Sequence, residues 1–277
     1  MTLTAVFVVW MLYGVPSMFF SMAALYCVCM WKEFDSPFYR LVTMNLVINI
    51  FVYLHTWIKR ILSDDDLSNI FIPVFINAKL LLQANDFCSQ WGYHLQSCNL
   101  LVKFAYCYHI VTKFKAMSSW RKNWFWIYVV VIFCTLAYTL RWGSWSWVMN
   151  VQCGVYILVT VVVEIITRRG LKNEHTSSKS AKKRITAMIV IDTVLHCAVW
   201  TWHFLPDFID MSRNDRIAML FFVSDMISCT TPYTLFFVDP LFRHTVLRCV
   251  FKWKSNPEVQ PVGMPPTRAP SALETRF

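Results

Sequence analysis

Long apolar runs separated by short polar links dominate the 277-residue chain. A bilayer core about 30 Å thick takes roughly 20 mostly apolar residues per spanning helix. Seven runs read as such spans, over about residues 4–31, 39–58, 87–111, 124–140, 145–167, 185–205 and 216–238. The first link, Lys32 to Pro37, is short, and a longer loop after the second span carries Asp64, Asp65 and Asp66. Residues 67–84 are interrupted by Asn69, Pro73, Asn77 and Lys79, so they read as an amphipathic surface segment and not as a further span. Past the last run, residues 240–253 form an amphipathic helix. Residues 254–277, with Pro257, Pro261, Pro265, Pro266 and Pro270, read as a disordered cytosolic tail. The expected fold is an all-α membrane protein, a seven-transmembrane helical bundle over 1–253.

Composition removes the soluble alternative. Only 15% of residues are charged against 57% hydrophobic, where a soluble domain carries about 25% charge. A net charge of +10 in a soluble chain raises the question of nucleic acid. Here the cations cluster between apolar runs, where orientation in the membrane explains them. Of the 26 Lys and Arg, nineteen fall in the 32–40, 112–123 and 168–184 loops and after 238, six fall on the other side, and Lys103 lies within a span. Positive charge stays inside, which places the N-terminus outside and the C-terminus in the cytosol. The first run lacks a basic n-region and is too long for a signal-peptide core, so it reads as a retained helix. The chain has no Asn-X-Ser/Thr sequon and no evident internal repeat.

Local motifs go further than the count of spans. Tyr13-Gly14-Val15-Pro16-Ser17, Phe38-Tyr39-Arg40-Leu41-Val42 and Tyr53-Leu54-His55-Thr56-Trp57 resemble the nematode serpentine receptor class gamma family of chemoreceptors. Thr231-Pro232-Tyr233 and Asp239-Pro240-Leu241-Phe242-Arg243 are similar to that family's exit from the seventh span. The resemblance is sharpest over the first 60 residues and extends loosely to about residue 253. It implies a G-protein-coupled-type receptor in the plasma membrane of a sensory cell, binding a small external molecule and signalling to a heterotrimeric G protein. Such receptors usually close the third span with an Arg-containing motif, whereas here Tyr106 to Lys113 contains none.

Charges within spans cost about 2.5–3.5 kcal/mol on insertion scales and so mark candidate sites. Glu164 lies one turn from Arg168 near a helix end, where an i,i+4 pair accounts for it. At about 1.5 Å per residue, Lys103 lies roughly 13 Å from the cytosolic end of its span, Asp192 about 10 Å and Asp225 about 20 Å. Depth therefore matches Lys103 with Asp192. The expectation is an interhelical switch, an ion pair between spans three and six that holds the resting state; a static pair is the plainer alternative. The different depths of Asp192 and Asp225 argue against a protease dyad, and the seventh span has no Lys for a retinal Schiff base.

The outer ends of spans three, five, six and seven predict a ligand cavity. Its candidate residues are Gln90, Tyr93, His94, Ser97, Trp202, His203, Phe222 and Asp225, apolar and aromatic walls with a few polar groups. The Trp residues of these spans equally fit an interfacial belt. His94 and Cys98 stand one turn apart but are too few for a metal, and neither metal nor cofactor is expected. Eight of the ten cysteines fall within spans; Cys88 at the outer mouth has Cys153 as its one candidate disulfide partner. Cys249, beside Arg248 and Lys252, is a candidate for palmitoylation. Arg121, Arg168, Arg169, Lys182, Lys183 and Arg184 are the expected G-protein-facing cations, and topogenic charge explains the same pattern. No enzyme is expected. The rival classes are a channel or transporter, disfavoured by the absence of paired broken helices, and a receptor relative that no longer couples.

Overall fold

The computed structural model describes residues 3–63, 79–112, 116–142, 176–204 and 212–251, with Ile209 and ten positions between 154 and 169. Among the described residues there is no strand. The helices are α1 (Leu3–Met30), α2 (Pro37–Ser63), α3 (Lys79–Thr112), α4 (Ala116–Trp142), α5 (Thr176–Phe204), α6 (Arg213–Val238) and α7 (Pro240–Phe251), with a 3-10 turn at Lys32–Phe34. The ten described positions between 154 and 169, where the fifth span is expected, are helical, and Leu158, Val161 and Ile165 among them are exposed.

Four stretches are long and apolar enough to cross a membrane: Val8–Met30, Pro37–Ile61, Ser119–Arg141 and Ala218–Val238. Their outward faces carry large exposed apolar side chains, including Leu12, Phe19, Trp126, Phe133, Leu140 and Phe237. In water so much exposed apolar surface is a liability, and against acyl chains it is the expected surface. α3 and α5 are long enough to span but more polar, since α3 carries His94, Gln96, Asn99 and Lys103, and α5 carries Asp192 and His196.

The helices run past the apolar stretches that announced them. α2 continues to Ser63 where the hydropathy pattern stops at 58, and α3 begins at Lys79 instead of 87. Hydropathy marks the part of a helix that meets lipid, whereas backbone hydrogen bonding carries the helix on into the interface. Two readings change as a result. Lys79 to Ala84 belongs to α3 and not to a surface segment, and Arg60 belongs to α2 and not to an outer loop.

Local chemistry explains several boundaries. Pro37 and Pro240 open α2 and α7, at the position where a missing N–H costs nothing. Ser212 caps α6, its hydroxyl accepting from the Asp215 amide at 3.2 Å. Asp239 ends α6 and caps α7 by accepting from the Leu241 amide at 3.1 Å.

α2, α3 and α6 form the middle of the bundle, with α1 against α2 and α6, α4 against α2 and α3, and α5 against α3 and α6. Gly14 lets α1 approach α2, because a Cβ there would overlap the Tyr53 hydroxyl. At mid-bundle the apolar core gives way to a polar network. Asn99 donates to Asn45 Oδ1 (2.6 Å), Asn45 to Thr231 (2.8 Å) and Gln96 to Asn49 Oδ1 (2.9 Å), while Tyr128 donates to Asn99 Oδ1 (2.6 Å). These bonds join the buried side chains of α2, α3, α4 and α6, and so fix one register among the helices.

Candidate functional site

Antiparallel alternation brings the start of α2, the end of α3, the start of α5 and the end of α6 to one end of the bundle. They enclose a cavity there. Phe38, Leu41, Val42 and Asn45 line it from α2, Lys103 and Tyr106 from α3, Ile185, Met188, Ile189 and Asp192 from α5, and Thr231 and Thr234 from α6. Lys103 Nζ reaches Asp192 Oδ2 at 2.5 Å across α3 and α5. Their side chains are 13% and 12% exposed, so the pair borders the cavity instead of being sealed beneath it. The His196 ring meets the Asp192 carbonyl through Nδ1 at 2.8 Å.

Below the cavity, Asp239 gathers three elements. Tyr39 of α2 donates to it at 2.5 Å, and Arg184 of α5 lies 3.6 Å away, in addition to the α7 cap. Nearer the surface Asp35 pairs with Arg40 at 2.7 Å and with Arg121 at 3.5 Å. The Arg40 hydrogen bond holds the Asp35 carboxyl below the usual carboxylate range.

The expected G-protein-facing cations thus divide. Arg121 and Arg169 are exposed, Arg121 within the Asp35 pair. Arg184 is half-buried and engaged by Asp239. Lys182 and Lys183 lie on α5 with their side chains outside the described residues, as Arg168 does entirely. Cys249 lies on α7, its side chain likewise outside the described residues; Cys88 is a half-buried free thiol, and Cys153 falls outside them.

At the opposite end, each described side chain of the expected ligand set has its own surroundings. Gln90 is half-buried, and Tyr93, like Leu195 and Val223, packs against Ile227. His94 is buried edge-on to Tyr138 at 4.8 Å, neither ring nitrogen having a hydrogen-bond partner among the described residues. Ser97 donates to the Tyr93 carbonyl at 3.0 Å. Phe222 is exposed and edge-on to Tyr13 at 5.9 Å. Trp202 and His203 lie on α5 with side chains outside the described residues. Asp225, placed by sequence on the ligand wall, is paired with Arg60 and accepts from the Tyr13 hydroxyl at 2.5 Å.

Arg60 is the residue that sequence reasoning missed. Its side chain is fully buried, and the guanidinium carbon lies 5.0 Å from the Trp10 and Trp57 ring centres, 5.2 Å from Phe221 and 5.4 Å from Tyr53. One signal was available: Tyr53, Trp57 and Arg60 share a helical face at i, i+4 and i+7, which a loop assignment for Arg60 concealed.

Comparison with known proteins bears on the whole arrangement. A family model described as Srg family chemoreceptor matches residues 7–146 and 134–246. Serpentine receptor class gamma-53 of Caenorhabditis elegans is 21% identical over 270 residues, covering 86% of this chain and 90% of that protein.

Proposed function

Because the chain belongs to the Srg family of chemoreceptors, we propose that it binds a small external molecule and passes the event to a heterotrimeric G protein in the cytosol. It is a multi-pass membrane protein of a receptor family. Seven spans, an external N-terminus and a place in the plasma membrane of a sensory cell belong to the same reading; the distribution of Lys and Arg supports the external N-terminus.

The observation that carries the proposal is the Lys103–Asp192 contact beside a cavity shared by α2, α3, α5 and α6. In the proposed orientation this cavity faces the cytosol. An ion pair that joins two helices and borders open space favours the closed arrangement, and its loss lets α3 and α5 part. A ligand then acts by binding the parted state better by a few kcal/mol, enough to move a two-state population. In the same orientation Arg121, Arg168, Arg169, Lys182, Lys183 and Arg184 fall on the cytosolic side by sequence, a basic set suited to an acidic protein surface.

Guanine-nucleotide exchange on purified G proteins, with the receptor in membranes and a compound library, tests this. We expect exchange to rise with a compound and to disappear when Arg168, Arg169, Lys182, Lys183 and Arg184 are neutralised. Lys103→Asp with Asp192→Lys should recover surface expression lost in either single variant. Absence of exchange from folded, surface-exposed protein sinks the coupling. A receptor relative that binds without coupling is the second reading, favoured by the stretch Tyr106 to Lys113, which lacks Arg.

A further inference from the structure

The Arg60 site holds a charge whose hydrogen-bonding capacity is only partly used. A guanidinium has five N–H donors spread over three nitrogens. Nη2 donates to Asp225, whereas Nε and Nη1 are buried without an acceptor among the described residues. The four surrounding rings offer faces, not lone pairs, so they stabilise the positive charge without satisfying those N–H groups. Buried donors are nearly always paired, and an exception in a native structure points to a missing partner.

We propose that Arg60 is the recognition point for a small monocarboxylate with an apolar body, its carboxylate accepting from an unused guanidinium N–H and its chain lying among Trp10, Tyr53, Trp57 and Phe221. The proposal rests on the chemoreceptor reading and names the ligand class for it. Position favours access: Arg60 is one residue from the end of the Pro37–Ile61 span, and Trp10 lies close to the start of Val8–Met30. A ligand arriving from the aqueous side therefore displaces an aromatic ring and does not cross the bilayer. A single negative charge is the better match, because Arg60 already shares its charge with Asp225, and the neighbouring Lys59 is engaged by Asp86 at 3.1 Å. A charged N–H donor bonds a carboxylate more strongly than a neutral acceptor, and the aromatic walls accept an alkyl chain. Asp225 competes with the ligand for the same cation, while Tyr13 holds Asp225 on its far side through the other oxygen.

The test uses the full-length receptor in nanodiscs at neutral pH, with tryptophan fluorescence as the readout since Trp10 and Trp57 flank the guanidinium. Butanoate, hexanoate and octanoate are titrated beside the corresponding primary amides and alcohols. Expected is a preference of about tenfold or more for carboxylate over amide at equal chain length. Asp225→Asn should tighten carboxylate binding by removing the competitor. The neutral pair Arg60→Gln with Asp225→Asn keeps two hydrogen-bonding side chains and should erase the preference. Equal affinity for carboxylate and amide in the wild type, or a preference that survives in the neutral pair, overturns the proposal. Amides or alcohols that bind or evoke nucleotide exchange without any carboxylate preference overturn the ligand class and leave the receptor reading standing.

Discussion

At the end of the bundle that carries Trp10, the side chains of Arg60 and Asp225 are 0% and 2% exposed; at the other end, those of Lys103 and Asp192 are 13% and 12%. Both pairs join two helices, α2 to α6 in the first case and α3 to α5 in the second. They differ in what surrounds them. Aromatic rings seal the first, so neither partner can be lost without leaving a bare charge in a medium that solvates it poorly. The second borders a cavity, where water or an entering side chain can take the place of a lost partner. The same two charge types therefore give a pair that is costlier to break at one end than at the other, and the deciding variable is exposure to water.

Removing one cation at a time gives the sharpest test of that contrast. Arg60→Ala strands Asp225 and should cost about 3–5 kcal/mol, the range for breaking a fully buried pair. Lys103→Ala should cost less, about 1–3 kcal/mol for a charged hydrogen bond with solvent nearby. Thermal unfolding in detergent, together with surface expression, checks the order. Equal losses in the two variants would break the comparison, because exposure would then not be what separates the pairs.

A smaller effect concerns the wall of the sealed site. Gly14→Ala places a methyl group on the Tyr53 hydroxyl, and overpacking of this kind costs about 1–3 kcal/mol. Tyr53→Phe removes the oxygen in the way, so the double variant should recover most of the lost thermal stability. No recovery would mean that Gly14 serves backbone freedom and not the close approach of α1 to α2.

The smallest effect lies at the surface beyond the open end. Arg40 holds the folded-state pKa of Asp35 below its ordinary value, so the contribution of the pair is complete at neutral pH and is lost as pH falls through that lowered pKa. Asp35→Asn should therefore be slightly less stable than wild type at neutral pH and converge with it in acid. The difference should also shrink in high salt, because Asp35 is half exposed. Melting curves across pH and ionic strength read both trends.

How much of this was legible beforehand depended on the kind of interaction. Lys103 and Asp192 could be matched because both lie well inside apolar runs, where a charge stands out and helical rise gives its depth; the structure has them 2.5 Å apart. Arg60 could not, because a cation at the end of a run looks like any loop cation. Only the continuation of α2 to Ser63 shows that it is helical, and only packing from α1 and α6 shows that it is buried. Asp225 was singled out for its depth, but its partner lies 165 positions away in sequence, and no spacing rule reaches that far. Arg184 was read as a G-protein-facing cation of the basic loop, and nothing in the sequence pairs it with Asp239 of the α6–α7 junction, 3.6 Å away.

The sequence by itself determined the membrane class, the course of the apolar helices, the direction favoured by the basic loops and the family resemblance. Those properties come from runs, counts and short motifs, which act locally or through the lipid and need no partner helix. Tertiary structure alone decided which buried charges meet, which stay open to a cavity and which side chains build the cage around Arg60. Such contacts depend on how far each helix continues past its apolar stretch and which face it turns to its neighbours. A few residues of helix extension, or one glycine at a crossing, change them without altering the hydropathy pattern at all.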